Sequence, residues 1–475
     1  MINQFIKFIL FFLIVFTPIA FGSMELWAFS LMELGILLVV ILGTIQELKT
    51  PSQNLSGSDS NSPIRNPKLA IPLILLGLFL IFVLFQSVPL PAEIMKVISP
   101  KTLELHQSLS IPDSQLSFLN VKWPTSFVPF ATQIEFLKWF SLISLFFFLL
   151  RWELSANGFR TTHQLITLIM LVGVAESLYG MIEFFSGHRY ILTLNQSSLV
   201  SSVTGTFTNR NYFAGYLLMV IPLTVGFLFS RQVHRSGTDM GWRRRLSVLD
   251  GKSLLIGYSL IIMILGLLFS ASRMGITSLL LSFSIIIILF RDPGGGEKFS
   301  KTSVLIVCLA IAWAAWIGLD AVISRFFAAS ENFKSRWTIW ADTFRILKDF
   351  PLFGAGLGTF QQIFPMYQSV HVEGFFSHAE NDFLQLASEI GLVGIGLLSI
   401  VFFYLFGKAV FLIRSLSRRN PKRYVGIGGL VGTLALIFHS TVERNIQVPA
   451  NAFLFTLLLA MVLWFCTATR RDDEG

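Results

Sequence analysis

Residues 377–412 read SHAENDFLQLASEIGLVGIGLLSIVFFYLFGKAVFL. A polar opening, Ser377 to Gln385, runs straight into a long apolar stretch. A bilayer core takes roughly 20 apolar residues as helix, so the stretch predicts a membrane-crossing helix over about 385–412, with its polar entry at one membrane surface. The rest of the chain repeats the pattern. Of 475 residues, 53% are hydrophobic and 13% charged, against about 25% charged in soluble domains. Forty-eight Phe exceed the needs of one water-excluded core but suit helices facing lipid. The chain is therefore expected to be an all-α polytopic membrane protein, and the net charge of +9 is a matter for its loops rather than a sign of nucleic acid.

Twelve spans meet the length rule: 5–22, 26–45, 69–87, 132–150, 164–185, 211–230, 253–270, 274–290, 303–319, 385–412, 425–439 and 451–467. The run 425–439 is short, and Gly426, Gly428, Gly429 and Gly432 suit close helix packing. With the N-terminus inside, the inner connections carry 21 Lys and Arg and the longer outer ones 12. That bias puts both termini in the cytoplasm. Residues 1–163 form an N-terminal set of spans, with a flexible inner linker at 46–68 and a Pro-rich, irregular outer loop at 88–131. Residues 164–467 form a second set that holds a large outer loop, 320–384, between spans nine and ten. Residues 468–475 are a cytoplasmic tail. The stretch before Gly22 lacks a small-residue cleavage site and reads as the first span. Cys308 and Cys466 lie in apolar runs and supply no disulfide framework.

The outer side holds the residues with chemical use. Ser377-x-x-Glu380 has the form of a capping box, which makes Ser377 an N-cap and puts His378 in a first helical turn. There the helix dipole favours a neutral imidazole able to accept a proton. His378, Asn381, Asp382 and Gln385 share one helical face; the plainer alternative is a solvated histidine beside a cap. Arg273, in Ser272-Arg273-Met274-Gly275, occupies a tight hairpin between two spans, where an arginine is costly unless it functions or snorkels. Arg336 opens a stretch to Phe350 in which Trp337, Trp340, Phe344 and Leu347 recur at helical spacing. This predicts an amphipathic helix in the membrane interface, stopped by Pro351. An arginine fork fits phosphate oxygens, and lipid headgroups would suit Arg336 equally. Arg210 and Asn211 either touch a sugar or phosphate or cap the sixth span. Gly354-Ala355-Gly356-Leu357-Gly358 follows no strand and reads as a turn where backbones pass closely, not a dinucleotide loop. No outer cluster of acids suggests a metal site.

Taken together these pieces resemble the O-antigen ligase and O-antigen polymerase superfamily of bacterial membrane glycosyltransferases. The resemblance rests on Gly205-Thr206-Phe207 through Asn211-Tyr212-Phe213-Ala214, on Ser272-Arg273-Met274-Gly275, and on Arg336-Trp337 through Pro351-Leu352-Phe353-Gly354-Ala355-Gly356-Leu357-Gly358-Thr359-Phe360. It continues through His378-Ala379-Glu380-Asn381-Asp382-Phe383-Leu384-Gln385 and covers about residues 160–465. It implies a fold related to C-type glycosyltransferases and glycan transfer from an undecaprenyl-diphosphate carrier on the outer face of the bacterial inner membrane. The acceptor would be lipid A–core or another glycan. The implied chemistry is inverting and free of metal and other cofactors. The resemblance matches His378, Arg273 and Arg336 to the family's essential residues, and Lys96, Lys101 and Lys122 are open candidates for a further basic residue. Arg210, Asn211, Asn381 and Asp382 are expected to bind substrate. Other membrane proteins of polysaccharide assembly are expected partners; nucleic acid is not.

Within this class a ligase and a polymerase of lipid-linked O-antigen or exopolysaccharide units are not separated by the motifs. From another class, a transporter of lipid or polysaccharide would suit twelve spans and the charges Glu176, Glu183, Glu389 and Lys408 inside them. It should also show repeats and interrupted helices near the midplane.

Overall fold

The structure, a computed structural model, describes residues 2–49, 67–109, 122–151, 158–187, 190–192, 194–195, 202–235, 250–290, 329–369 and 376–467. Apart from a two-residue antiparallel ladder, β1 (Tyr190–Ile191) with β2 (Leu194–Asn195), regular structure there is helical. The first half holds α1 (Ile2–Ile19), α2 (Leu26–Lys49), α3 (Pro67–Gln86), α4 (Ala92–Ile98), α5 (Pro100–Leu109), α6 (Pro129–Arg151), α7 (Gly158–Ser186) and α8 (Arg210–Arg235). The second holds α9 (Gly251–Phe269), α10 (Arg273–Phe290), α11 (Ala329–Asp349), α12 (Phe360–Ile363), α13 (Asp382–Ser415), α14 (Pro421–His439) and α15 (Pro449–Thr467).

Among the described residues, seven helices are long and apolar enough to cross a membrane: Ile2–Ile19, Leu26–Lys49, Pro129–Arg151, Thr161–Ser186, Arg210–Val233, Gly251–Phe269 and Asp382–Ser415. The expected spans at 69–87, 274–290, 425–439 and 451–467 are helices too, of which Ala70–Gln86 and Pro449–Trp464 are shorter apolar runs. The expected span 303–319 lies outside the described residues, as do the inner linker's residues 50–66 and the tail 468–475. The large outer loop is described at 329–369 and from 376 onward.

Helix α8 is the enclosed centre, its apolar residues from Tyr212 to Phe227 buried on nearly every side. Small residues let α14 lie directly on it, as the Gly-rich sequence predicts; a Cβ on Gly428 would stand 2.4 Å from the Pro222 carbonyl oxygen.

The described parts of 88–131 are more regular than the prolines suggest. Pro91 caps α4, and Pro100 and Pro129 open α5 and α6. Proline suits a helix's first turn, where its missing N–H has no intrahelical partner to lose. The amphipathic stretch is helical, within α11, and shows two faces. Its inward face is Ile339, Asp342, Thr343, Ile346 and Phe350, while Trp337 and Phe344 face outward at 64% and 49% exposure. Asp342 anchors the inward face: its carboxylate accepts from the Ser369 N–H and hydroxyl, both at 2.9 Å. That local demand is invisible in an apolar periodicity.

Helix α13 is interrupted. Gly391 sits at φ 61°, ψ −171°, and the chain from Pro351 fills the break. Leu392 N–H donates to the Pro351 carbonyl at 2.8 Å, and the Ala355 and Gly356 N–H groups donate to the Ser388 and Glu389 carbonyls at 3.0 and 2.9 Å. Backbone freed from a helix at this depth must find such partners. The Gly354–Gly358 turn is thus the close backbone crossing expected from its composition. A Cβ on Gly354 would lie 2.2 Å from the Glu389 carbonyl atoms, at φ +72°. Gly354→Ala is expected to lower stability by about 3 kcal/mol or more, combining backbone strain with a steric clash. Thermal unfolding in detergent would check this, with Gly396→Ala, where a Cβ meets nothing within 4 Å, as control.

Two membrane-depth acids serve the packing. Glu389 accepts from Gly358 N–H at 3.0 Å and Gln385 Nε2 at 3.1 Å. Glu176 accepts from the Thr206 N–H and hydroxyl, both at 2.8 Å. Each pins a connecting segment to a helix.

Candidate functional site

Four helices begin at one end of the fold: α8 at Arg210, α10 at Arg273, α13 at Asp382 and α15 at Pro449. The short turn between α14 and α15, Ser440 to Val448, ties them together. Asp382 N–H donates to the Ser440 carbonyl at 3.0 Å. In return the Asp382 Oδ2 accepts from the Asn445 and Ile446 N–H groups, both at 2.7 Å. Asn445 Nδ2 lies 3.1 Å from His439 Nδ1, and His439 Nε2 lies 3.4 Å from the Ser272 hydroxyl, one residue before Arg273. Asn451 Nδ2 donates to the Tyr212 carbonyl at 3.1 Å, which brings the start of α8 to the same turn.

Side chains from three other segments, Arg336, His378 and Gln385, meet this turn. From α11, Arg336 Nη1 donates to the Val442 carbonyl at 3.0 Å and pairs with Glu443 Oε1 at 2.6 Å. Arg444 Nη1 donates to His378 Nε2, and its guanidinium stands 6.0 Å from the Tyr212 ring centre. Gln447 Oε1 accepts from Gln385 Nε2 at 3.1 Å. Arg444 Nε and Gln447 Nε2 are buried without a hydrogen-bond partner among the described residues. Buried polar atoms are normally satisfied, so these two mark where a polar ligand would be welcome.

His378 is not in a helix. Asn381 rather than Ser377 is the N-cap, its Oδ1 accepting from Leu384 N–H at 3.0 Å, and α13 starts at Asp382. Glu380 takes a left-handed φ of 51°, which no helical first turn permits. The segment is held outside the helix by Trp340, whose Nε1 donates to the Ala379 carbonyl at 3.0 Å, and by Gln385 Oε1, which accepts from Ala379 N–H at 3.1 Å. The imidazole is held neutral as expected, for a different reason: burial first, then the Arg444 charge, pull its pKa down to about 3. Glu443 is displaced the other way. Burial pushes it up to about 7, Arg336 opposes that, and Glu380 adds to it.

The expected site residues thus fall into two groups. Arg336 and His378 meet the turn directly, and Arg273 adjoins Ser272, whose hydroxyl lies 3.4 Å from His439, just ahead of the turn. Asn211 is buried beside Glu443, while its N–H takes the Asn209 side chain at 2.8 Å. Arg210 is the first residue of α8. Asn381 Oδ1 and Asp382 Oδ2 accept from backbone N–H groups, while Asp382 Oδ1 is buried without a hydrogen-bond partner among the described residues. Among the outer-loop lysines, Lys101 pairs with Glu104 at 2.8 Å. A basic residue nearer the centre is Lys138 of α6, 5% exposed and paired with Glu135, whose charge reaches His378. Sequence reading passed over Lys138, Glu443 and Arg444. The signal for the latter two was a dense polar run, Thr441 to Asn445, in a short connection between apolar helices.

Residues 258–399 match the family model described as O-antigen ligase. The stretch contains Arg273, Arg336 and His378 but neither the 440–448 turn nor Asn211. No curated protein sequence matches the chain.

Proposed function

We propose that this chain, whose residues 258–399 match the O-antigen ligase family model, transfers a glycan from undecaprenyl diphosphate to a hydroxyl of lipid A–core. In this reading the reaction takes place on the outer face of the bacterial inner membrane, inverts the anomeric carbon and needs no metal. One observation carries it: Arg336 and His378, from separate segments, end on the adjacent residues Glu443 and Arg444. That puts guanidinium groups and a neutral imidazole within one shared turn. A departing diphosphate develops negative charge on oxygen. Desolvated, preorganised guanidinium groups stabilise such charge without a metal. The attacking hydroxyl needs a partner that fixes its direction, and His378 is the group assigned to it here. The acceptor oxygen forms its bond to the sugar carbon as the bond to the diphosphate oxygen breaks, and the electron pair leaves with the diphosphate.

The test uses the full chain in lipid nanodiscs with an undecaprenyl-diphosphate-linked oligosaccharide. Lipid A–core and a second lipid-linked unit serve as alternative acceptors. Product on lipid A–core supports the ligase reading. Elongation of the lipid-linked unit alone replaces it with polymerisation, and donor movement across the bilayer without transfer replaces it with transport. Arg273→Lys is expected to lose about 10²-fold in turnover, because an ammonium cannot reproduce the planar two-point contact with phosphate. Turnover near wild type would make Arg273 a purely structural residue.

A further inference from the structure

Glu443 has no task in the scheme so far, yet it lies at its centre. The residue is 4% exposed, and its Oε1 holds Arg336 Nη1 at 2.6 Å. Its Oε2 has no hydrogen bond of good geometry among the described residues; the Asn211 amide from α8 is its polar neighbour. The charges that bear on it are Arg336 from α11 and Glu380 from the segment before α13. His439, at the end of α14, is influenced by the same arginine. A carboxylate on a guanidinium occupies the position a phosphate oxygen would take. His378 is badly placed to collect a proton, because its Nε2 lone pair already accepts from Arg444 Nη1. In the neutral ring that leaves Nδ1 as the protonated nitrogen.

We propose that Glu443 accepts the proton of the attacking hydroxyl, and that it is released for this task when the donor's diphosphate takes its place on Arg336. The proposal rests on the glycosyl-transfer reading. The exchange makes the base at the moment it is needed. Glu443 loses a cationic partner and gains an anionic neighbour, and both changes raise a carboxylate's affinity for a proton. The acceptor O–H proton passes to the carboxylate as the new C–O bond forms. The electron pair of the broken bond departs on the diphosphate, and the carboxylic acid returns its proton to water once that product leaves. His378 positions the acceptor oxygen and holds Arg444.

The full chain in nanodiscs is assayed as wild type, Glu443→Gln and Glu443→Asp, after confirming equal insertion. Two quantities are read: the affinity for undecaprenyl diphosphate alone, and the single-turnover transfer rate against pH at saturating donor. Removing the competing carboxylate should make Glu443→Gln bind the diphosphate about tenfold more tightly while transferring at least about 10²-fold more slowly. In wild type the ionised carboxylate is the active form, so the rate should rise with pH through an acid limb. Glu443→Asp should keep measurable transfer with that limb moved to lower pH. A Glu443 that merely anchors Arg336 would give weaker diphosphate binding in Glu443→Gln and an unmoved limb, and either result overturns the proposal. So does transfer by Glu443→Gln within threefold of wild type. A wild type that binds the diphosphate but transfers from no lipid-linked donor overturns the glycosyl-transfer reading itself, and the proton role with it.

Discussion

Replacing His378 by alanine is expected to lower glycan transfer by about 10³-fold, with the chain still inserted at wild-type level. Two losses combine. In the proposed reaction the acceptor hydroxyl loses the imidazole assigned to orient it, and Arg444 loses the ring nitrogen that receives its Nη1. Arg444 would then be a half-buried cation with Nε already unpartnered among the described residues, free to turn toward the Glu443 carboxylate or away from the turn. Glutamine at this position is the informative companion. Its side-chain oxygen can stand near the place of Nε2 and accept from Arg444, but an amide cannot take up a proton. If His378 acts by position, His378→Gln should recover at least tenfold over alanine; if His378 is itself the base, the two variants should be equally inactive. The pH profile gives an independent check. Burial and Arg444 keep the ring neutral down to about pH 3, so no limb between pH 5 and 9 should vanish with His378. A limb lost in His378→Gln but kept in Glu443→Asp would return the proton to the histidine. Membrane-fraction immunoblots distinguish loss of transfer from loss of protein.

The sequence exposes this site unevenly, and the reasons are physical. Apolar runs declare themselves because lipid demands length, so helices occur at nearly every expected span the structure describes. Gly354 to Gly358 was legible because only small residues let backbone cross backbone, and the Gly391 break in α13 is its counterpart. The break itself was hidden, since one glycine inside an apolar run reads equally well as uninterrupted helix. Local rules misled where tertiary partners compete with them. The Ser377-x-x-Glu380 pattern satisfies a cap on paper, but Trp340 and Gln385 hold the Ala379 backbone elsewhere and Asn381 does the capping. Asp342 anchors the inner face of α11 by bonding to Ser369, 27 residues away, a contact that no periodicity announces. Glu443 and Arg444 are the instructive omissions. They have no motif, and the family match ends at residue 399, short of both. Their meaning comes only from what folds against them.

The second large effect belongs to a residue that touches neither sugar nor phosphate in this scheme. Asp382 is 1% exposed, and one of its oxygens accepts from two successive N–H groups of the 440–448 turn at 2.7 Å each. That clamp fixes Asn445 and Ile446, and through them the direction in which Glu443 and Arg444 leave the backbone. Asp382→Ala removes the acceptor and leaves two buried donors unpaired, which costs about 2–6 kcal/mol. The turn then relaxes toward whatever oxygen it can reach. A shift on the order of 1 Å in a positioned group lowers turnover about 10²-fold, so Asp382→Ala is expected to lose that much activity together with a marked fall in thermal stability. Asp382→Asn keeps a carbonyl oxygen where the carboxylate oxygen was, and one such oxygen can accept both N–H groups. It should therefore remain within about tenfold of wild type in transfer and recover most of the stability. The pair of variants separates two roles for the same residue. If asparagine restores both, Asp382 works by holding the turn, and the four helix starts, Arg336 and His378 form one device assembled around it. If asparagine restores stability but not transfer, the charge of Asp382 acts on the reacting groups, and the proton has a second carboxylate to reach.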